Sequence, residues 1–118
     1  MLRDLNPTMS VYIASGYTDL RNGIDGLAGI VEREFNLNPC DNKLFLFCGR
    51  RADRIKGLYW EGDGYLLLYK RIETGRFRWP RNKKEVLEIT PQQFKWLMEG
   101  LKIEQPTANK TVENMRVS

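Results

Sequence analysis

The sequence predicts an α+β domain in which a largely antiparallel β-meander packs against two helices. Apolar, β-branched and aromatic runs separated by Gly-containing turns follow one another through the middle of the chain, as consecutive antiparallel strands do. Two stretches with apolar residues at helical spacing flank that region. The predicted order is β-α-β-β-β-β-α, with one more short strand over 85–89 before the second helix.

The N-terminal part of the chain predicts one strand and one helix. Residues 11–14 are apolar and precede a loop that begins with glycine, which predicts a short strand. Apolar residues then recur every three or four positions, which predicts a helix over about 23–35. Asn22 or Asp19 is placed to cap this helix, because both side chains accept hydrogen bonds from free backbone N–H groups.

The middle of the chain predicts the meander. Residues 43–48 are apolar on both faces, so we expect a central strand there. Residues 54–60 and 65–71 predict the next two strands, joined by a hairpin in which the Asp-Gly pair at 63–64 supplies the positive φ. Residues 76–79 alternate between cations and aromatic rings, which predicts a further strand with its rings inward and its cations outward.

The second helix has a well-marked beginning. Thr90 is a preferred N-cap, Pro91 suits the first helical position, and Gln93 stands three residues after the cap, which is typical of a capping box. After about residue 104 the chain is polar, with too few apolar residues to offset the entropy of ordering it. We therefore predict one globular domain over residues 1–104 and a flexible tail over 105–118.

The composition excludes several classes of site. The chain of 118 residues contains no histidine and two cysteines, so it has no Ser-His or Cys-His nucleophile pair, no histidine general base and no structural zinc site. We expect no metal and no cofactor, and we expect Cys40 and Cys48 to be free. The first six residues lack the apolar core of a signal peptide, and no run approaches the roughly 20 apolar residues of a membrane span. The expected location is the cytoplasm, with no membrane partner.

Positive charge is concentrated in one segment. Residues 50–84 contain 11 Lys and Arg against 4 Asp and Glu, a net charge of +7, whereas the remainder of the chain has a net charge of −3. Such segregation indicates a polyanionic partner, most often nucleic acid. A solvated sheet face would carry the same charges, and composition alone weighs the two interpretations about evenly.

Four blocks of the chain resemble a known family. They are Asp-Leu-Arg-Asn-Gly-Ile-Asp-Gly-Leu at 19–27, the run 44–64 that ends in Trp-Glu-Gly-Asp-Gly, the basic run 70–80, and the helix at 90–100. In this order they resemble the accessory protein, or second-open-reading-frame product, of the insertion-sequence-66 family of bacterial transposons, over about residues 9–103. The resemblance implies a small non-catalytic factor of transposition, encoded beside a separate transposase of the Asp-Asp-Glu type.

The first block contains a candidate contact with that transposase. Asp19 and Arg21 are interpreted either as a salt bridge between the loop and the helix or as a docking motif for the transposase. Leu20 and Asn22 stand where the family commonly has Met and Lys, which removes one cation from this loop. The departure weakens any role for the loop in holding phosphate.

The cations of the basic segment are the candidate nucleic-acid ligands. Arg54 and Lys56 are two residues apart on one predicted strand and therefore share a face. Arg76 and Arg78 point outward if the strand over 76–79 forms, although an ordinary half-buried edge strand would show the same pattern. The complete candidate set is Arg50, Arg51, Arg54, Lys56, Lys70, Arg71, Arg76, Arg78, Arg81, Lys83 and Lys84.

Two other residue classes invite interpretation. Aromatic residues in the meander, namely Tyr59, Trp60, Tyr65 and Tyr69, suit either base stacking or core packing, and core packing is favoured for most of them. The acidic residues Asp19, Asp25, Asp53, Glu61 and Asp63 suggest a metal nuclease. Their spacing is too cramped for carboxylates spread over a nuclease fold, and several occupy turn or helix-start positions.

Three functions follow, in order of preference. The first is a non-enzymatic accessory factor that binds transposon DNA through a basic sheet face and contacts the transposase. The second is a protein-interaction adaptor of the transposase complex with no direct DNA contact. The third, a small nuclease, is the least favoured.

Overall fold

The structure is a computed structural model that describes residues 9–81 and 85–105. Five strands form one sheet in the order β4-β3-β2-β1-β5, and two α-helices accompany it, which confirms the predicted α+β class. The strands are β1 Ser10–Ala14, β2 Lys43–Cys48, β3 Arg54–Trp60, β4 Tyr65–Arg71 and β5 Val86–Ile89. The helices are α1 Ile24–Gly29, which continues as a π-helical segment over Ile30–Glu34, and α2 Pro91–Met98.

The sheet is mostly antiparallel. β2, β3 and β4 form the predicted meander, and β5 pairs antiparallel with the other side of β1. β1 and β2 are parallel neighbours, so the chain must cross over between them, and this crossover carries α1. The strand bounds predicted for 43–48, 54–60 and 65–71 agree with the structure.

Both faces of the sheet are buried, and each face has its own apolar cluster. On one face, Leu27 and Val31 of the first helical segment join Phe45, Phe47 and Leu58. On the other face, the buried residues of α2 join alternate residues of the strands and two aromatic rings from the segment after β4; they include Phe94, Leu97, Ile13, Leu46, Ile55, Phe77 and Trp79. The central strand β2 serves both clusters, which explains its continuous apolar run.

The predicted strand over 76–79 is wrong. This segment is not a strand in the structure, because its backbone bonds to loops instead of to a neighbouring strand: Phe77 N donates to Ala52 O at 2.7 Å. The predicted alternation is nevertheless present. Phe77 and Trp79 are buried while Arg76 and Arg78 are exposed, and Trp79 Nε1 donates to Ala14 O at 2.8 Å.

The two helix beginnings differ. α2 has the predicted capping box, in which Gln93 N donates to Thr90 Oγ1 at 3.0 Å and Thr90 N donates to Gln93 Oε1 at 2.8 Å; such a cap stabilises a helix by about 1 kcal/mol. The predicted cap of α1 by Asn22 or Asp19 is wrong, because Gly23 is the N-cap and no side chain caps it.

The hairpin between β3 and β4 also differs in detail from the prediction. Its positive φ of 99° is at Gly62 rather than at the Asp63-Gly64 pair. Glu61 N donates to Gly64 O at 2.9 Å and closes the turn.

Several predictions concern residues that the structure does not describe. The N-terminal residues 1–8, Lys83 and Lys84, and the predicted tail beyond residue 105 lie outside the described ranges, so the domain boundary stays a prediction. Cys40 is free and exposed and Cys48 is free and buried, as predicted. In the two described ranges, the helices are too short or too polar to cross a bilayer.

Candidate nucleic-acid interface

Most of the candidate cations lie at one end of the sheet. The pairing directions bring the C-terminal ends of β1, β2 and β4 together with the N-terminal ends of β3 and β5. We call this region the basic end; it consists of the loop 15–23, the turn 49–53 and the segment 72–81, with the adjoining strand ends. Two open clefts lie there.

The first cleft has a volume of about 930 Å³ and lies between the loop 15–23 and the outer strands. Residues of the loop line it together with Leu67 and Tyr69 of β4. Five cations and two carboxylates line it: Arg21, Arg50, Arg51, Arg54, Lys56, Asp19 and Asp53.

The second cleft, of about 1130 Å³, adjoins the first and shares Tyr17, Arg50 and Arg51 with it. It follows the segment 75–81 toward the residues after α2. The charged residues that line this cleft are Arg50, Arg51, Arg76, Arg78, Arg81, Lys102, Glu85 and Glu104.

Together the two clefts concentrate the positive charge of the protein. Their described lining contains nine different Lys and Arg against four Asp and Glu, a net charge of +5, whereas the whole chain has a net charge of +4. The remainder of the chain therefore has a net charge of about −1. A concave surface of one sign focuses its field outward and attracts polyanions.

The turn between β2 and β3 presents the two arginines that the clefts share. Ala52 adopts a left-handed conformation with φ of 61°, which is unfavourable for a residue other than glycine. The conformation is maintained because Ala52 is buried in the apolar cluster on the sheet face covered by α2, and because its carbonyl accepts a hydrogen bond from Phe77 N. Arg50 and Arg51 project from this fixed backbone and are exposed.

The exposed arginines of both clefts are largely uncompensated. Within the part of the chain that the structure describes, Arg50, Arg51, Arg76 and Arg78 have no ion pair and no side-chain hydrogen bond. Arg81 lies over the Tyr17 ring, with its guanidinium carbon 5.7 Å from the ring centroid. These side chains are available to an anionic ligand without breaking an internal ion pair.

Arg54 and Lys56 line the floor of the first cleft and share a face, as predicted from their spacing. Arg54 Nε lies 3.5 Å from Asp53 Oδ1, yet this buried nitrogen has no hydrogen-bond partner in the described structure. Lys56 Nζ donates to Asn22 O at 2.9 Å and lies 6.0 Å from the centroid of the Tyr69 ring. Lys56 thereby joins the loop 15–23 to the sheet.

Not every predicted cation joins the clefts. Lys70 pairs with Ile55 in the β3–β4 ladder, and paired residues share a face, so Lys70 lies on the opposite face from Arg54 and Lys56. Arg71 Nε donates to Glu73 Oε2 at 2.9 Å, and neither Arg71 nor Lys70 lines a cleft. The candidate cations therefore do not form one basic sheet face; most of them lie on turns and loops at the end of the sheet.

Asp19 and Arg21 form an ion pair within the loop rather than between loop and helix. Arg21 donates to Asp19 through Nη2 at 2.7 Å, through Nε at 3.0 Å and through its backbone N at 2.9 Å. The side-chain hydrogen bonds from Arg21 lower the pKa of Asp19 to about 2. Arg21, predicted as a partner contact, also lines the first cleft.

Sequence reasoning missed several lining residues, among them Tyr17 and Lys102. Tyr17 follows Gly16 in a predicted loop, and Lys102 directly follows the predicted second helix. No local sequence pattern marks either residue, because their positions in the clefts depend on how distant loops come together. The proximity of Lys102 to the basic segment requires the path of α2 across the sheet.

The aromatic residues of the meander separate into packed and exposed rings. Trp60 and Tyr65 stack edge to face with centroids 5.0 Å apart, and the Tyr59 hydroxyl donates to Asn42 Oδ1 at 3.4 Å. Tyr69 is 55% exposed. Tyr59 and Tyr65 pack against the apolar clusters, as preferred, whereas Trp60 and Tyr69 belong to neither cluster.

The chain is similar to one family along most of its length. The family described as IS66 Orf2 like protein matches residues 9–108. "Uncharacterized protein y4hO" of Sinorhizobium fredii (strain NBRC 101917 / NGR234) is 40% identical over 91 residues, which cover 77% of this chain and 79% of that protein. "Uncharacterized protein y4jC" of the same strain is 32% identical over 93 residues, which cover 79% of this chain and 80% of that protein. No solved structure matches the chain significantly.

Proposed function

Because this chain belongs to the IS66 Orf2-like family, we propose that it is a non-catalytic factor that binds transposon DNA through its two basic clefts and contacts the transposase. Membership of the family implies an accessory role in transposition. The contact with DNA, the contact with the separately encoded transposase and the absence of catalysis are the parts that we propose.

One observation carries the DNA contact. Two adjoining clefts with a net charge of +5 share Arg50 and Arg51, and these arginines have no internal partner in the described ranges. Arginines that are exposed, unpaired and held on a fixed turn suit phosphate oxygens, which guanidinium groups bind with two parallel hydrogen bonds.

The expected mode of binding has little base specificity. A protein reads base pairs by placing side chains in a groove, most often from a helix. The apolar residues Phe94, Leu97 and Met98 bury one side of α2; Lys95 is exposed on the helix, and exposed Glu99 directly follows it. The cations are on turns and loops instead, and phosphate contacts position a protein without reading sequence.

Single charge removals test the DNA contact. We expect Arg51→Ala, Arg54→Ala and Arg76→Ala each to weaken binding about equally on transposon-end and scrambled duplexes and to reduce the slope of log affinity against log salt by about one. Fluorescence anisotropy at two salt concentrations measures both quantities. Lys70→Ala is the matched control, because it removes one charge from the same segment on the other face.

The same titration distinguishes DNA binding from the competing adaptor function. Exposed apolar side chains such as Leu66, 38% exposed, and Leu101, 43% exposed, favour some protein contact. If all three arginine variants bind DNA as the parent does, or if DNA binding requires added transposase, the cations serve a protein surface and the adaptor takes first place. Loss of affinity confined to the transposon-end duplex would instead show that the side chains read bases.

The non-catalytic character rests on the acidic residues. No three His, Cys, Asp or Glu residues within 9–81 and 85–105 are grouped to hold a metal ion. Asp19 and Asp53, the carboxylates of the first cleft, each face an arginine. We expect supercoiled DNA to stay intact in the presence of the protein and Mg²⁺ or Mn²⁺; cleavage that disappears in Asp53→Ala would assign a nuclease.

A further inference from the structure

Tyr69 is the aromatic residue of the first cleft whose ring is left most open. It is 55% exposed on the edge strand β4 and lines the cleft together with residues of the loop 15–23. Tyr12, Tyr59 and Tyr65 each have a hydrogen-bond partner for their hydroxyl group. The Tyr69 hydroxyl has none within the described structure, and the ring packs into neither apolar cluster.

The surroundings of this ring combine positive charge with apolar surface. Across the β3–β4 ladder, Tyr69 pairs with Lys56, and the ammonium lies 6.0 Å from the ring centroid. Arg54 and Leu67 lie on the same face and also line the cleft, as do Leu20 and Arg21 of the loop. The cleft therefore offers a flat ring and an aliphatic surface between cations.

This combination distinguishes single-stranded DNA from a duplex. The bases of a duplex are stacked on each other inside the helix, so an exposed ring gains nothing from them and cations alone suffice for the phosphates. Proteins that bind single strands combine a basic groove with aromatic side chains on which unpaired bases stack. Tyr69 supplies such a ring in a cleft that Arg50, Arg51 and Arg54 also line.

We propose that the first cleft binds single-stranded DNA, with one unpaired base stacked on Tyr69 and its neighbouring phosphates on the arginines of the β2–β3 turn. This inference rests on the proposed function, because it takes DNA as the partner and adds which form of DNA is bound. The second cleft, which shares Arg50 and Arg51, provides the continuation of the path for the strand toward Arg76 and Arg78.

The test compares a labelled oligo-dT of about 16 nucleotides, the upper end of common site sizes, with a duplex of the same length. We expect Tyr69→Ala to weaken oligo-dT binding by about 5- to 100-fold, as loss of one base stack does, and to change duplex binding by less than about twofold. Tyr69→Phe retains the ring and is expected to bind as the parent does. Leu66→Ala is the matched control, because it truncates an exposed side chain of the same strand on the opposite face.

An abasic substrate makes the test independent of any change in folding. An oligonucleotide that lacks bases keeps its phosphates, so the parent protein should lose affinity for it relative to oligo-dT, whereas Tyr69→Ala should lose much less. Equal losses in the two proteins would overturn the stacking. A ribo-oligomer bound more tightly than oligo-dT would also overturn the proposal, since the partner would then be RNA.

The outcomes separate this inference from the proposed function. If the parent binds duplex and oligo-dT alike and Tyr69→Ala changes neither, the inference fails while binding of DNA through the clefts stands. If the parent binds neither form, even at about 50 mM salt, where electrostatic binding is strong, the proposed DNA contact itself fails.

Discussion

The two turns of the meander connect their strands in the same topology but with opposite chemistry. The β2–β3 turn, residues 49–53, carries two unpaired arginines at the basic end. The β3–β4 turn, residues 61–64, carries Glu61 and Asp63 at the other end of the sheet. The first turn is fixed by the core through buried Ala52 and two backbone bonds, Phe77 N to Ala52 O at 2.7 Å and Ile72 N to Asp53 O at 2.8 Å. The second is exposed, and an added Cβ on either of its glycines would meet nothing within 4 Å.

The difference bears on the proposed binding role of the turn 49–53. A ligand that binds mobile side chains on a mobile loop loses affinity to the ordering of that loop. Arg50 and Arg51 project from a backbone that is already ordered by Phe77 and Ile72. On binding, only the conformational entropy of their side chains would be lost. The turn 61–64 has no comparable backbone bonds to other segments in the described structure.

The largest expected effect is on the anchor of the first turn. Phe77→Ala removes a ring that is 2% exposed, so we expect the free energy of unfolding to fall by about 3–5 kcal/mol. Urea denaturation followed by tryptophan fluorescence measures it. The loss should also weaken binding of DNA by the folded protein, because the turn is loosened although no cation is removed.

Two variants sharpen that measurement. Arg78→Ala, one residue away and exposed, should change stability by less than about 0.5 kcal/mol. Phe77→Leu keeps most of the buried volume and should cost less than Phe77→Ala, so it reports on binding if the alanine variant fails to fold. A cost below about 1 kcal/mol for Phe77→Ala would show that the segment 76–79 does not anchor the turn.

The two cysteines report on the two ends of the sheet. Cys48 is the last residue of β2, directly before the turn 49–53, and burial raises the pKa of its thiol to about 12. Cys40 lies at the other end and is exposed. Because the thiolate is the reactive form and must be reached by the reagent, we expect a thiol reagent at pH 8 to modify Cys40 at least about 100-fold faster than Cys48.

Cys40→Ser provides the control for the thiol measurement. This variant should show no rapid modification until denaturant is added, after which Cys48 should react. Rapid modification of Cys48 in the native state would mean that the base of the first turn opens readily, and the contrast between the two turns would then lose its basis.

Local patterns were sufficient for the elements whose signals are contained within one segment. The bounds of β3 and β4 follow from their apolar runs between turn residues, and the capping box at Thr90 and Gln93 needs only four consecutive residues. The outward positions of Arg76 and Arg78 follow from alternation with rings that must be buried.

Other features depend on contacts between distant segments and could not be read from local patterns. The segment 76–79 alternates like a strand, yet its backbone bonds to the turn at Ala52, which propensity does not reveal. Lys70 belongs to the basic run, but the β3–β4 register places it on the opposite face. Tyr17 enters the interface because Thr18 N donates to Cys48 O at 2.8 Å, which fixes the loop against the end of β2.

Substitutions in the β3–β4 turn, residues 61–64, are expected to change stability by less, because only the backbone conformation should matter there. Gly62 has φ of 99° and open space around it, so Gly62→Ala should destabilise the protein by about 1–2 kcal/mol through backbone strain. Gly64 has open space and no positive φ. Gly64→Ala should therefore be neutral or stabilising by up to about 1 kcal/mol, because it restricts the unfolded chain.

The pair of glycine variants also tests whether the second turn is independent of the core. Neither substitution should change DNA affinity, since the turn 61–64 lies at the opposite end of the sheet from the clefts. A stability loss of several kcal/mol for either variant, measured by thermal unfolding, would reveal packing against the turn and remove the contrast with residues 49–53.

The smallest expected effect concerns Asp19, whose charge faces the first cleft. Hydrogen bonds from Arg21 lower its pKa to about 2, so the carboxylate stays ionised and its charge is balanced by Arg21 within the same loop. The folded-state pKa lies below the ordinary value of 3.8. The pair therefore contributes to stability above about pH 4 and loses that contribution as the pH falls toward 2, by a small amount because both groups are exposed to solvent.

Carboxyl-carbon NMR titration measures this pKa directly. In Arg21→Ala only the backbone N–H of residue 21 remains as a donor, so the pKa of Asp19 should rise toward its ordinary value. Arg71→Ala is the matched control, because Arg71 forms a similar pair with Glu73 two residues along the chain and should leave the Asp19 titration unchanged. If Asp19 already titrates near 3.8 in the parent protein, the hydrogen bonds from Arg21 to Asp19 do not persist in solution. The carboxylate would then be free to pair with the arginines of the turn, and these would no longer stand uncompensated.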